Sequence, residues 1–338
     1  MKKRILFIAA PLFILFACEP DKLDVDVSEV KTESLKLMRL EDDLFQLNPS
    51  NFDAKAPGVK AKYGAFYEHF LINPLGLNGT KDTAYKAMVL DFVGNKDVKE
   101  AYADVKTLYP ASKFEKTASE VEAMIKRFHY HFPTRKLPTR LITCTTGWNY
   151  AFAYLDSALV VSLDMYLGEN SKFYQMLNYP QYQARKMNEA HLLPDIARGW
   201  ILTEFDKTTP ENTLLNHTIF YGKLYYAVNA LVPDLADSLI IGYTAKQMKS
   251  CEMYQKNYWS YFAEKNRLYE NNMNTIRELT SEGPFTAAIS RECPPRIAMW
   301  IGWQIVRSYM KNNKEVTLEQ LMDDTNAQKI LSKSKYRP

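Results

Sequence analysis

The sequence is poor in glycine and lacks the motifs of several large protein classes. Twelve of its 338 residues are glycine, whereas 22 are tyrosine and 17 are phenylalanine. That balance favours helices over a turn-rich β architecture. No GxGxxG or Walker loop is present, so nucleotide binding has no support. GxSxG and HExxH, which mark serine hydrolases and zinc peptidases, are missing too.

Histidine and cysteine are also scarce. The closest histidines are His129 and His131 in "HYH", and residues two apart on a helix point in different directions. We therefore predict no metal and no cofactor. Beyond the first residues the cysteines are Cys144, Cys251 and Cys293, with no CxxC. In an exported chain two of them could pair, or all three could be buried thiols, and the spacing does not decide.

The first residues contain the strongest targeting signal. Basic "MKKR" precedes the apolar run "ILFIAAPLFILFA", whose thirteen residues are fewer than the roughly 20 of a membrane span. The run ends in "LFAC", where Leu15, Ala17 and Cys18 match a bacterial lipobox. We predict a lipoprotein signal peptide over residues 1–17 and acyl chains such as palmitate on Cys18. The alternative is an ordinary signal peptide followed by an incidental cysteine.

Processing there would change the charge of the protein. Removal of Lys2, Lys3 and Arg4 lowers the formal net charge from +4 to +1. A nearly neutral chain argues against nucleic acid as a partner. The polar segment "EPDKLDVDVSEVKTE" follows Cys18 without a regular apolar period. We therefore predict a flexible tether over 18–33 and a single globular domain over 34–338.

The apolar pattern predicts an α+β fold that is predominantly α-helical, with a small mixed sheet packed against helices. The region 57–131 has helical spacing, and a tight turn is expected at Asp156–Ser157. Strands are predicted at 35–41, 139–146, 150–155 and 158–167. Later helices are predicted at 183–206, 212–230, 244–265, 295–312, 317–323 and 326–334.

Two residues are unusual for the helices that contain them. Gly222 lies inside the helix predicted at 212–230, where glycine costs about 1 kcal/mol relative to alanine. It would allow another helix or a ligand to approach closely. Arg296 lies at the start of the last long helix, where a cation is disfavoured by the helix dipole. It therefore needs a partner or faces a cleft, unless it is simply a rim residue.

Several segments resemble the GldB-type gliding motility lipoproteins of Bacteroidetes over nearly the whole mature chain. The most specific are "LDMYLG", "YGK" and "IGWQIV". The resemblance implies a lipid-anchored component of the gliding motility and protein secretion machinery. It implies a place in the cell envelope, facing the periplasm or the cell surface, with other envelope proteins as partners.

That family in turn is similar to small zinc peptidases of the gluzincin type. The resemblance makes "VVSLDMYL" the edge strand, "HLLPDIARGWI" the first active-site helix and "FYGKLYY" the second. Asp195 is then the one carboxylate near the missing HExxH, and Tyr221 replaces the glutamate ligand. This implies a peptidase-like scaffold without peptidase chemistry, whose remaining cleft binds an extended peptide or a partner protein. The candidates to line that cleft are Asp164, Tyr166, Asp195, Arg198, Tyr221, Lys223, Arg296 and Trp303.

Two other functions stay open at this point. One is an envelope hydrolase that uses non-standard metal ligands or no metal. A metal assay would distinguish such an enzyme from a binding protein. The other is a lipoprotein that captures peptides or glycans for uptake, for which exposed aromatic rings would be the sign.

Overall fold

The computed structural model describes residues 23–205 and 213–338, apart from the side chain of Lys265. The predicted signal peptide at 1–17, Cys18 and the first part of the tether lie outside the described residues. Among the residues described, no helix combines the length and apolar character needed to cross a membrane.

The described residues form a helical protein with one small sheet, as the sequence predicts. The strands are β1 (Lys36–Arg39), β2 (Arg140–Cys144), β3 (Phe152–Leu155) and β4 (Ala158–Ser162). The helices are α1 (Leu40–Leu44), α2 (Phe52–Tyr63), α3 (Ala65–Ile72), α4 (Tyr85–Gly94), α5 (Lys96–Leu108), α6 (Ala111–His131), α7 (Lys172–Met176), α8 (Gln181–Ala184), α9 (Leu192–Phe205), α10 (Leu214–Leu231), α11 (Asp237–Ile241), α12 (Ala245–Met253), α13 (Gln255–Ala263), α14 (Met273–Thr280), α15 (Ile297–Asn312), α16 (Leu318–Asp323) and α17 (Ala327–Ser334).

The sheet is mixed, with strand order β1-β2-β4-β3. β2 runs parallel to both β1 and β4, whereas β3 and β4 form an antiparallel hairpin. The predicted turn joins that hairpin, and Asp156 and Ser157 both have positive φ, 50° and 58°. Two left-handed residues are what a two-residue type I′ hairpin turn requires.

The edge strand of the sheet differs from the sequence prediction. "VVSLDMYL" was expected at the edge, but its strand β4 lies between β2 and β3. All five residues of β4 are buried, as a strand covered on both faces requires. The edge beside the later helices is β3 instead. A continuous apolar run such as that of β4 is typical of an interior strand. The residues of β4 therefore favour the interior position, whereas the resemblance to gluzincin peptidases implied the edge.

The two faces of the sheet pack against different groups of helices. Leu141, Leu159 and Val161 belong to the large core around the later helices, whereas Ile142 and Val160 belong to a second core with α2, α3 and α4. This follows from the alternation of side chains along a strand. The sheet therefore contributes side chains to both cores, one from each face.

Helix α10 lies at the centre of the larger core and is buried on nearly every side. It crosses α15 at Gly222 and Gly302, where the two backbones are in contact. Of the two roles expected for Gly222, the structure therefore gives it the close approach of another helix.

Two long predicted helices are interrupted. The segment 183–206 contains α8, a 3-10 turn and α9, because the Asn188 side chain accepts a hydrogen bond from the Ala190 amide and starts a new helical segment. The segment 244–265 divides at Tyr254 into α12 and α13. All three later cysteines are buried and unpaired, the second of the two expectations.

Candidate binding cleft

A cleft of about 390 Å³ opens between β3, α9, α10 and the start of α15. One end is mainly apolar and the other end carries four charged side chains. The apolar part includes Phe152, Leu202, Tyr221, Leu224, Val228 and Met299. The charged part consists of Asp195, Arg198, Glu282 and Arg296. Such a mixture suits a ligand with both an apolar and a polar portion.

A glycine brings β3 close to α9. The ring of Phe152 on β3 lies against Gly199 of α9, and a Cβ at that position would fall 2.2 Å from the ring. Any side chain there would therefore push β3 away from the helix. Gly199 thus sets the width of the cleft on its strand side.

The outer edge of β3 faces away from the rest of the sheet. The amide of Ser162 donates to the carbonyl of Ala151, which fixes the hydrogen-bonding register of the hairpin. Because antiparallel pairs alternate, the backbone groups of Phe152 and Tyr154 point away from β4. Among the described strands, β4 is the partner of β3. The edge beside the cleft is therefore available for an added strand.

Asp195 is the carboxylate of α9 at the charged end. Its Oδ2 accepts a hydrogen bond of 2.9 Å from the Tyr166 hydroxyl. Its Oδ1 accepts from the Arg198 guanidinium one helical turn away. Both oxygens are thus engaged, and burial raises the pKa of Tyr166 well above its ordinary value, so the phenol remains a donor at neutral pH.

Two arginines converge on the end of α11. Arg198 donates from Nη1 to the carbonyl of Ile240 at 2.6 Å, and Arg296 donates from Nη2 to the carbonyl of Ile241 at 2.7 Å. These carbonyls have no partner further along the helix, because α11 ends at Gly242 in a left-handed conformation. Cations at a helix C-terminus are favourable, which accounts for two guanidiniums side by side, that of Arg296 buried and that of Arg198 partly buried.

Glu282 supplies the carboxylate that Arg296 needs. Its Oε1 lies 3.1 Å from Arg296 Nη1 and 2.8 Å from Lys186 Nζ. Burial acts to raise the pKa of Glu282, but Arg296 and Lys186 outweigh burial and lower it below its ordinary value. The carboxylate is therefore ionised, and one oxygen serves two cations.

The backbone of Arg296 is held in an unusual conformation. Its φ of 56° and ψ of 34° are left-handed, a region that non-glycine residues seldom adopt. The Arg296 guanidinium donates hydrogen bonds to the Ile241 carbonyl and the Tyr225 hydroxyl and forms an ion pair with Glu282. These three contacts fix the residue in place. Strain of this kind persists where the surroundings determine the position, and it is common at ligand sites.

The structure brings four of the eight sequence candidates into the cleft, namely Asp195, Arg198, Tyr221 and Arg296. Tyr166 lies behind them as the donor to Asp195. Asp164 is buried and does not line the cleft; it accepts hydrogen bonds from the amides of Thr146 and Trp148, 3.0 and 2.9 Å away. It positions the loop after β2.

The other two candidates lie elsewhere. Lys223 donates to the carbonyls of Met322 and Asp324, at 2.9 and 3.0 Å, and so anchors the C-terminal helices. Trp303 is completely buried in the helical core. Neither lines the cleft, because the helical period of α10 and α15 turns both side chains away from it.

Three residues of the site, Glu282, Lys186 and Phe152, are not predicted from the sequence. Arg296 at a helix start signalled that a carboxylate was needed, but no local pattern identified which one. Glu282 precedes Gly283 in an irregular segment far along the chain from Lys186, so their proximity is a property of the fold alone.

The charged end does not fit a zinc centre. Asp195 is paired with Arg198, Tyr221 offers a phenol and no carboxylate, and Arg296 would add repulsion to any dication placed there. Zinc in a catalytic site needs three protein ligands and an open position. Throughout residues 23–205 and 213–338, no group of three or more His, Cys, Asp or Glu side chains is arranged to hold a metal ion.

A family model described as "Gliding motility protein GldB" matches residues 20–338. No curated protein and no solved structure matches the chain, so the likeness to gluzincin peptidases stays a prediction from sequence. The family model extends over nearly the whole chain, and we conclude that this chain belongs to the family of the gliding motility protein GldB.

Proposed function

We propose that this protein is a lipid-anchored, non-catalytic component of the gliding motility and protein secretion machinery of the cell envelope. Its cleft binds an extended segment of a partner protein as an added strand on β3. The observation that carries the proposal is that β3 is an edge strand whose first residue, Phe152, lines an apolar cleft with a charged end. Strand addition combines backbone hydrogen bonds with side-chain pockets for specificity.

Both carboxylates at the charged end of the cleft are already paired with cations, which supports a binding role over a catalytic one. A general base must be within reach of a proton and able to accept it. Asp195 is bound by Tyr166 and Arg198, and Glu282 is bound by Lys186 and Arg296. Each carboxylate thus serves to hold a cation in place, and hydrolysis would require these ion pairs to be broken first.

Anchoring at Cys18 supports the envelope location. Acyl chains on Cys18 would lie 18 residues before the first strand, which begins at Lys36. Several acyl chains give stable attachment, at about 0.8 kcal/mol for each buried CH₂. The domain would therefore stay near one membrane while its cleft remained open to a partner.

Leu202 provides a sharp test of the cleft, because its side chain lines the cleft and is 41% exposed. Leu202→Asp places a charge in the apolar part with little cost to folding. Leu177→Asp is the matched control, since Leu177 is 44% exposed and lies outside the cleft. The full chain in detergent is titrated into a fluorescent random dodecapeptide library, and anisotropy measures binding.

We expect the wild type and the Leu177 variant to bind alike, and the Leu202 variant to bind at least tenfold more weakly. Loss of one buried apolar contact of about 1.5–3 kcal/mol gives that factor. A library methylated at its backbone nitrogens should also bind weakly, because strand addition needs those N–H groups. Equal binding by all three proteins would contradict the proposal.

A further inference from the structure

A second cavity adjoins the charged end of the cleft. Its volume is about 480 Å³, and it lies between the segment around α8, the end of α11 and the start of α15. Glu282 and Arg296 line both this side cavity and the cleft. A chain that runs along β3 would therefore reach the side cavity through these two residues.

Basic groups dominate the wall of the side cavity. Arg185, Lys186 and Arg296 line it, against the carboxylates of Glu282 and the exposed Glu169. Lys186 and Arg296 share one oxygen of Glu282. Arg185 has no ion pair with any residue in the described part of the chain. The wall thus holds more positive charge than its own carboxylates neutralise.

His191, which also lines the side cavity, responds to this charge. Burial, together with the positive charges of Arg198 and Lys186, lowers the pKa of His191 to about 4. The ring is therefore neutral at pH 7. The part of this shift that comes from Arg198 and Lys186 reflects positive surroundings, which favour an anion, whereas burial disfavours a charge of either sign.

The carboxylate of Glu282 lies where the carboxylate of a ligand would bind, so Glu282 acts as an internal occupant of this site. It follows α14 in an irregular segment, its side chain is 39% exposed, and it reaches Arg296, whose side chain is 8% exposed. Arg296 carries a buried Nε with no hydrogen-bond partner. A carboxylate from another molecule could take the same two cations if the Glu282 side chain moved toward solvent.

We propose that the side cavity binds a carboxylate of the peptide held in the cleft, and that Glu282 occupies its place until the peptide arrives. This inference rests on the proposed function and adds the class of ligand. The carboxylate comes from the peptide C-terminus or from an acidic side chain, since both present the same two oxygens to Lys186, Arg185 and Arg296.

The experiment uses the full chain in detergent with three random dodecapeptide libraries. The first ends in a free carboxylate and has no acidic residue, the second is its C-terminal amide, and the third is an amide with one internal glutamate. Anisotropy gives the affinity for each. Glu282→Gln removes the internal occupant, Arg185→Gln removes the unpaired cation, and Arg337→Gln is the control for loss of an exposed arginine remote from both cavities in sequence.

We expect a peptide carboxylate to tighten binding about tenfold, which corresponds to one hydrogen-bonded charge. Glu282→Gln should increase the difference in affinity between carboxylate and amide libraries, and Arg185→Gln should reduce that difference. The Arg337 variant should match the wild type. Preference for the first library identifies the C-terminus, and preference for the third identifies an acidic side chain.

Two failures are distinguishable. Binding of all libraries with equal affinity overturns this inference and leaves the proposed function in place. Binding of none of them, by a protein whose circular dichroism shows it folded, overturns the proposed function and this inference together. A Glu282→Gln variant that loses the preference for carboxylates would also overturn the inference. The inference makes the Glu282 carboxylate a competitor of the peptide carboxylate, so its removal should not weaken carboxylate binding.

Discussion

Gly222 of α10 and Gly302 of α15 lie in backbone contact where the two helices cross. A Cβ on Gly222 would fall 2.3 Å from the carbonyl of Gly302, and a Cβ on Gly302 would fall 1.8 Å from the carbonyl oxygen of Thr218. The backbones touch without intervening side chains. This crossing fixes the distance between α10, which carries Tyr221 and Tyr225, and α15, which begins directly after Arg296.

Substitution at the crossing should therefore destabilise the protein. Gly302→Ala forces α15 away from α10 and should cost about 3 kcal/mol of unfolding free energy, as overpacking commonly does. Gly58→Ala is the control, because its Cβ would meet nothing within 4 Å in helix α2. It should be neutral or stabilising by up to about 1 kcal/mol. Thermal unfolding followed by circular dichroism measures both, and similar melting temperatures would refute the contact.

Asp164 predicts a pH effect on stability. Burial raises its pKa to about 6, against hydrogen bonds from the amides of Trp148 and Thr146 that act to lower it. The folded state therefore binds this proton more tightly than the unfolded state, and its contribution to stability is lost as the pH rises from about 4 to about 6.

The variant Asp164→Asn keeps an acceptor oxygen but does not titrate. The stability of the wild type relative to this variant should fall by about 2–3 kcal/mol between pH 4 and pH 7. Asp53→Asn, at an aspartate whose side chain is 80% exposed, serves as the control and should leave the pH profile unchanged. Urea unfolding at several pH values makes the measurement, and parallel curves for wild type and Asp164→Asn would contradict the account.

Lys223 should make the protein more stable as the pH rises above about 8, whereas the contribution of Asp164 is lost as the pH rises. Burial lowers the pKa of Lys223 to about 8, while Asp324 and Asp323 act to raise it. The unfolded state then binds more protons above pH 8, so stability rises between about pH 8 and pH 10. We expect this rise, about 2 kcal/mol, in the wild type and its absence in Lys223→Met. Lys86→Met, at a half-exposed lysine, should retain the rise; its loss there would show that another group is responsible.

The sequence predicted most of the elements but not how they come together. Strands, the turn at Asp156–Ser157 and the last long helices follow from local periodicity, which the residues themselves carry. The order of the strands does not, since β4 is interior although the resemblance put it at the edge. Lys223 and Trp303 are expected in the cleft because they belong to segments that carry the family resemblance. Only the packed structure shows that they point elsewhere and that Glu282 pairs with Arg296.

The charged end of the cleft predicts that the protein binds no stoichiometric zinc. Arg198 and Arg296 repel a dication, and Asp195 is already paired. The full chain, purified without chelator, should contain well under one zinc per chain by elemental analysis, and chelator should leave its melting temperature unchanged. One zinc per chain, released with a fall in melting temperature, would favour the hydrolase alternative.

The fate of a bound peptide tests the central claim most directly. The full chain is incubated with the random dodecapeptide library for hours, and the peptides recovered from it are weighed by mass spectrometry. The account predicts intact peptides that are retained by the wild type and lost from Leu202→Asp. Shortened peptides that appear with the wild type but not with Leu202→Asp would contradict it, because the cleft would then cut what it binds.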